Sequence, residues 1–150
     1  MRTTILTILT IILAATAAMA QDGLISVNSS HDVVTTANRL EDALKEKGVT
    51  VFARIDHAAG ARQVGETLKP TLLMIFGNPA MGTPLIQRSR SMAIDLPLKA
   101  LIWEDREGQV WLTTNDADYL ARRHGIVEMD DQVRKMAQAL SNFSMAATSP

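Results

Sequence analysis

The feature that most constrains the fold is an unbroken strand-length segment, Thr71-Leu72-Leu73-Met74-Ile75-Phe76, which Gly77-Asn78-Pro79 ends sharply. After Thr71 every residue of the segment is apolar, without the polar alternation of a strand that has one face in water. Such a segment predicts a central strand that is covered on both faces. The rest of the chain must therefore provide a sheet around it and helices to cover it.

Upstream of this strand, the sequence alternates between strand and helix patterns. Residues 24–27 predict a first strand, and residues 50–55, which alternate and are β-branched, predict a second. Between them the apolar positions of residues 33–44 recur at helical spacing, with Ser30 as the expected N-cap and Gly48 as the stop. A strand–helix–strand unit with short links implies a right-handed crossover between two parallel strands.

Downstream of the central strand, the sequence predicts a β-hairpin. Residues 98–103 and 109–113 are strand patterns, and the turn Asp105-Arg106-Glu107-Gly108 between them has glycine where a left-handed residue is needed. A type I turn with a glycine bulge would place Trp103 directly opposite Trp111. This tryptophan pair packs the hairpin or forms a dimer contact in the favoured interpretation. The alternative is a surface that stacks on a flat ligand.

Helical patterns complete the predicted domain. A short helix follows Asn115-Asp116, and a last helix covers residues 130–146, after which the chain is expected to fray. Residues 83–90 predict one or two further turns. The sequence thus predicts a single α+β domain with a mixed β-sheet: a β-α-β unit, a central strand and an antiparallel hairpin, with helices mainly on one face.

The N-terminus has the pattern of a cleavable signal peptide. Arg2 precedes an apolar run that ends at Ala18-Met19-Ala20, where small residues suit signal peptidase, so we expect cleavage after Ala20 and a mature domain of residues 21–150. The run is short for a bilayer span, and a retained anchor is the less favoured alternative. The protein is therefore expected to be soluble in the periplasm, or secreted, without stable membrane insertion after cleavage.

Charge and cysteine content exclude several classes of function. The chain has a formal charge of −1, and removal of Arg2 with the signal peptide leaves −2 on the mature domain. This balance gives no electrostatic reason to expect nucleic acid or an anionic membrane as a partner. Cysteine is absent, which excludes disulfides, thiol catalysis, thiolate metal sites and a lipidated N-terminal cysteine.

Polar residues gather where the predicted strands end, and we take six of them as candidates for one ligand-binding surface. Each has a simpler alternative: a helix cap, a sharp turn or a surface ion pair such as one between Asp95 and Arg88 or Arg90. The backbone amides of the turn at Asn78, with Thr83 nearby, could hold a small anion or a carbonyl group. The candidates are Asp56, His57, Asn78, Thr83, Asp95 and Asn115.

Two histidines offer a second kind of site. His57, His124 and Asp56 would suit zinc, copper or iron if the fold brought them together, because imidazole and carboxylate are ligands of these metals. No local ligand spacing supports this, and the end of a helix explains the cations Arg122-Arg123-His124 equally well. Cofactors therefore stay unknown at this level.

An ordered set of short motifs resembles the family catalogued as domain of unknown function 302, over about residues 27–126. The resemblance implies a small α+β domain with a mixed sheet, able to pair as a homodimer and often exported. No activity is attached to the family, so no catalytic residue is carried over. The motifs are Ile55-Asp56-His57, Phe76-Gly77-Asn78-Pro79, Asp95-Leu96-Pro97-Leu98, and Asp116 with Arg122-Arg123-His124.

Three functions remain open from the sequence. The favoured one is an exported, non-enzymatic small-molecule-binding or accessory protein, because no nucleophile–base set, metal spacing or nucleotide loop is recognisable. The second is a metal-dependent enzyme or redox protein that uses His57, His124 and Asp56. The third is a purely structural dimerisation module, and whether the protein is an enzyme stays undecided.

Overall fold

The computed structural model describes residues 18–21, 23–126 and 131–150. Most of the predicted signal peptide, residues 1–17, lies outside the described residues. The elements in chain order are β1 Ala18–Gln21, β2 Leu24–Ser29, α1 Val33–Glu46, β3 Thr50–Asp56, α2 His57–Gln63, β4 Thr71–Gly77, α3 Pro79–Arg88, a 3-10 helix Arg90–Ile94, β5 Leu98–Glu104, β6 Val110–Asn115, α4 Ala117–Arg123 and α5 Asp131–Thr148.

The described strands form one sheet in the order β1-β2-β6-β5-β4-β3, and every neighbouring pair is antiparallel. The α+β class and the single domain are therefore confirmed, but the mixed sheet is wrong. β2 and β3 do run in the same direction, as the strand–helix–strand unit predicts, yet β6, β5 and β4 lie between them. Because β6, β5 and β4 pair antiparallel with one another and with β2 and β3, the sheet contains no parallel pair among the described strands.

One face of the sheet carries the hydrophobic core, under a layer of helices. α1 packs across β3 to β6, and α5 packs on α1, β2 and β6. Phe76 of β4 meets Phe143 of α5 edge-to-face, with ring centroids 6.5 Å apart. The fully buried side chains that join sheet and helices include Leu40, Leu44, Met74, Ile102, Leu112 and Val133.

Two helix ends differ from their predictions because nearby polar groups hold them. Asp32, not Ser30, caps α1: its side chain accepts a hydrogen bond of 2.7 Å from the Thr35 amide. α5 does not fray at its end. The Ser30 amide donates to the Thr148 carbonyl at 3.0 Å, and the Arg39 guanidinium donates to the carbonyls of Ala146 in the last turn and Ser149 just beyond it. These bonds satisfy carbonyls that a helix C-terminus otherwise leaves free.

The second face of the sheet has no helical layer among the described elements. Side chains alternate along each strand, so Leu73, Ile75, Leu101, Trp103 and Trp111 point away from the core. All five are only half-buried. The prediction that β4 is covered on both faces is thus wrong for the single chain. We call these five residues the open face.

The hairpin prediction is confirmed in detail. Trp103 pairs with Trp111 across β5 and β6, and the Asp105 amide donates to the Gln109 carbonyl at 2.9 Å. Gly108 has the left-handed φ of 88° that the turn requires. The Asp105 carboxylate accepts hydrogen bonds from the Trp111 indole at 2.8 Å and from the Gln109 amide at 2.8 Å. One side chain thus stabilises both the turn and the tryptophan.

These bonds to Asp105 predict a pH-dependent contribution to stability. The Trp111 indole N–H and then the turn amides lower the pKa of Asp105 below its ordinary value of 3.8. A lowered folded-state pKa means that the stabilisation is complete above the ordinary value and is lost as the pH falls through the folded value. We expect Asp105→Ala to lower the melting temperature at neutral pH and to differ less from wild type in strong acid. Thermal melts over this pH range provide the measurement.

The matched control is Asp42→Ala, which removes an exposed carboxylate from α1. Its melting temperature should stay close to that of the wild type at neutral pH. A constant gap between wild type and Asp105→Ala at every pH would contradict the assignment.

Candidate functional site

An apolar cavity of about 270 Å³ opens between the sheet, α3 and α5. Its walls come from the end of β4, the start of β5, the first turns of α3 and the middle of α5. Among the described residues almost all of the lining is hydrocarbon, and the polar side chains in it are those of Asn78 and Thr83. The main apolar residues of the wall are Phe52, Phe76, Leu85, Leu96, Leu140 and Phe143.

Local structure explains why this gap exists. Asn78 caps α3, accepting from the Ala80 amide at 2.9 Å, and Pro79 begins the helix, so α3 turns away from the sheet directly after β4. A register shift in β3 between Val51 and Ala53 frees Phe52 from the regular alternation, and its ring lines the cavity. Helix α5 supplies the opposite wall.

Of the six predicted ligand-binding residues, only Asn78 and Thr83 line this cavity. Asp56 pairs with Leu72 in the sheet, whereas Leu98, at the start of β5, pairs with Phe76. Four residues of β4, about 13 Å, separate these two positions. The structure therefore does not bring the six candidates to one surface.

The two groups lie at opposite ends of the sheet. Asp56 and His57 lie at one end, where Asp56 accepts a 2.8 Å hydrogen bond from the Ala59 amide and caps α2. Asn78, Asp95 and Asn115 lie at the other. The simpler interpretation of Asp56, as a helix cap, is thus confirmed.

The proposed metal site is not assembled either. His124 lies at the end of α4 and contacts Asp95 just before β5, while Asp56 and His57 are at the far end of β3. Within the described ranges, no group of three histidine, aspartate or glutamate side chains is placed to hold a metal ion. The antiparallel order is the reason, because the ends of successive strands point in opposite directions.

Asp95 and His124 instead form a pair of their own. The Asp95 carboxylate lies 2.6 Å from His124 Nε2 and 3.5 Å from the Arg123 guanidinium, and these two contacts replace the predicted ion pair with Arg88 or Arg90. The other ring nitrogen of His124, Nδ1, lies 2.9 Å from the Ser91 hydroxyl. Sequence reasoning missed Ser91, since 33 residues separate it from His124 and nothing local marks the contact.

These observations define a class: a small α+β domain with one antiparallel sheet, one helical layer and an apolar cavity at one end of the sheet. Residues 25–143 match the family described as domain of unknown function DUF302. The chain belongs to this family, and the sequence resemblance is confirmed.

A solved structure shows the same fold. The crystal structure of an uncharacterised conserved DUF302 protein from Bacillus stearothermophilus superposes with a TM-score of 0.68 at 17% sequence identity. The match covers 84% of this chain and 95% of that one. At this identity the comparison concerns the fold alone.

The sequence also matches proteins whose names describe an ion channel. Two proteins named fluoride-specific ion channel FluC 1, from Brucella suis and Brucella abortus, are 48% identical to this chain over 110 residues. The match covers 73% of this chain but only 43% and 41% of those proteins. The chain thus spans less than half the length of these relatives. In the part of the chain that the structure describes, no helix is long and apolar enough to cross a membrane.

Proposed function

We propose that this domain binds a small, uncharged, largely apolar molecule in the cavity between α3 and α5. The cavity itself is the observation that carries the proposal, because a concave pocket with a hydrocarbon lining and a few polar groups is the usual form of a small-molecule site. Its volume lies just below the range of about 300–1,000 Å³ typical of small-molecule sites. The ligand is therefore small, on the scale of a short alkyl chain or one or two aromatic rings.

The chemistry of the wall supports an uncharged ligand. None of the described residues that line the cavity is charged, so among them a buried charge on the ligand would lack a partner. Asn78 and Thr83 are the polar side chains at the wall, and they provide a place for one hydroxyl or carbonyl group. Asn78 already uses its carbonyl oxygen to cap α3, which leaves its amide group to donate.

A cavity-filling substitution tests the proposal. Ala139 of α5 lines the cavity, and Ala139→Phe should fill part of it without creating a void. With 1-aminonaphthalene as an uncharged fluorescent probe of two rings, we expect binding by the wild type and a loss of about tenfold or more in affinity in the variant, equivalent to about 1.4 kcal/mol. Fluorescence titration measures both values.

Ala146→Phe is the matched control, since it places the same ring on an exposed position of the same helix. It should bind the probe like the wild type. Equal affinity in Ala139→Phe and Ala146→Phe, or no binding by the wild type, would refute the cavity as a site.

We also propose that a second copy of the chain covers the open face. A six-stranded sheet with five half-buried apolar side chains on one face is a large apolar surface for a soluble monomer. The side chains of Ser26, Trp103 and Thr113 on this side of the sheet already bond one another. Thr113 accepts from the Trp103 indole at 3.0 Å and bonds Ser26 at 2.8 Å. The face can therefore be buried without leaving these groups unsatisfied.

A two-fold axis through the face would bring like surfaces together, as in most homodimers. Strands β2 to β6, spaced about 4.8 Å apart and each about 20 Å long, offer an outline that can supply much of the about 800 Å² per partner of a standard interface. A structural dimerisation function would rest on this same surface.

Leu101→Lys tests the dimer, because Leu101 lies in the middle of the open face, paired with Thr113 and Leu73. We expect a dimeric wild type and a monomeric variant in sedimentation equilibrium, since the interface would have to bury an unpaired charge. Val64→Lys alters a residue that is 76% exposed elsewhere and should remain dimeric. A monomeric wild type, or a dimeric Leu101→Lys, would contradict the proposal.

We further propose export, with cleavage after Ala20. The support is the N-terminal pattern of Arg2, the apolar run and Ala18-Met19-Ala20. Cleavage there would remove three of the four residues of β1 and leave β2 as an edge strand.

Expression of the full chain in a Gram-negative host tests the export. The intact mass of the periplasmic product should correspond to a chain that begins at Gln21, and Ala20→Arg should leave the precursor uncut. A full-length chain from Met1 in the cytoplasm, for the wild type, would overturn the prediction. Fluoride conduction is not included in any of these proposals, because the match spans less than half of the proteins that carry that name.

A further inference from the structure

A continuous chain of hydrogen bonds runs from a serine through a histidine to a carboxylate. The Ser91 hydroxyl lies 2.9 Å from His124 Nδ1, and His124 Nε2 lies 2.6 Å from the Asp95 carboxylate. The Ser89 hydroxyl adds a contact of 3.1 Å to that of Ser91. Both distances around the imidazole fall within the range at which a base activates a nucleophile.

The carboxylate determines how the protons are arranged. An ionised Asp95 only accepts, so Nε2 of His124 carries the ring proton and donates it to Asp95. Nδ1 then presents its lone pair to Ser91, whose single hydroxyl proton must point to it. The Ser89 hydroxyl consequently donates to the oxygen of Ser91. The nitrogen that faces the serine is thus unprotonated, as general-base activation requires, and a third group holds the base. The two ring nitrogens have exchanged the roles that they have in the usual serine–histidine–aspartate triad, where the carboxylate bonds Nδ1 and the serine faces Nε2.

His124 and Asp95 are largely buried, whereas Ser91 is accessible to solvent. The side chains of His124 and Asp95 are only 5% and 14% exposed, whereas Ser91 is an exposed residue of the 3-10 helix. Arg123 lies 3.5 Å from the same Asp95 carboxylate. Since His124 ends α4 and Asp95 immediately follows the 3-10 helix, two rigid segments fix the imidazole while Ser91 faces solvent.

We propose that Ser91 is a nucleophile, with His124 as its general base and Asp95 as the positioning residue, in a second site that hydrolyses small carboxylic esters. The site goes beyond ligand binding in the cavity, because neither Ser91 nor His124 lines that cavity. The substrate is an ester with an accessible carbonyl, since acyl transfer is the chemistry that a serine–histidine–carboxylate set performs.

The reaction balances with ester and water as the only reactants. The Ser91 oxygen forms a bond to the acyl carbon while its proton passes to His124 Nδ1. The bond from the acyl carbon to the alcohol oxygen then breaks, and the departing alcohol takes the proton from Nδ1. Water attacks the resulting acyl-serine, gives a proton to Nδ1, and the carboxylic acid leaves as that proton returns to the Ser91 oxygen.

Two measurements on the purified full domain test this site: hydrolysis of p-nitrophenyl acetate, and intact mass after treatment with phenylmethanesulfonyl fluoride. We expect ester turnover and a single sulfonyl adduct, mapped to Ser91 by peptide digestion. Ser91→Ala should lose the adduct, and Ser91→Ala and His124→Gln should each lose about 100-fold or more in kcat. Asp95→Asn keeps the shape of the carboxylate, so it should lower kcat with little change in KM or in melting temperature.

Matched controls separate this site from ordinary surface reactivity. His57→Gln removes an exposed histidine, and Ser30→Ala an exposed serine, far from Ser91. Both should keep the adduct and the turnover of the wild type. Hydrolysis by wild type no faster than by Ser91→Ala overturns the proposal, as does an adduct on another residue. Probe binding tests the cavity and ester turnover tests this site, so either function can fail without the other.

Discussion

Burial of one face of an antiparallel sheet under α1 and α5 is the constraint on which the rest of the structure depends. It places the buried side chains of β4, β5 and β6 in one core and turns Leu101, Trp103 and their neighbours outward. The cavity follows from the same layer, because α3 leaves the sheet at Asn78 and does not fill the space up to α5. A single helical layer thus produces both an apolar pocket on one side of the sheet and an open apolar face on the other.

The antiparallel order also decides which polar residues can act together. Successive antiparallel strands end at opposite ends of the sheet. Asp56 and Asn78 follow consecutive strands and therefore cannot share a site. Most of these strand-end residues have structural roles: Asp56, Asn78 and Asp116 each accept a hydrogen bond from a backbone amide at the start of a helix. These three side chains cap helices, which explains why they recur after strands without forming a metal or catalytic cluster with one another.

Local patterns predicted well what local forces control. The sequence predicted the hairpin from β5 to β6, the helix α1 and the central apolar strand. These predictions were possible because turn residues and side-chain periodicity act over a few residues. The sequence predicted only part of the cavity. Asn78 and Thr83 were among the candidates, but the wall from α5 and the bulged Phe52 were not, since nothing near them in the chain marks a contact with β4.

By itself, the sequence determined the fold class, the family, the hairpin register and an N-terminal pattern for export. Only the tertiary structure decided that β4 to β6 separate β2 from β3, that one face stays open, and that Ser91 meets His124 and Asp95. The physical reason is the distance along the chain over which each interaction acts. Capping, turn geometry and side-chain periodicity act between near neighbours in the chain. Strand order and a hydrogen bond across 33 residues depend on how the whole core packs.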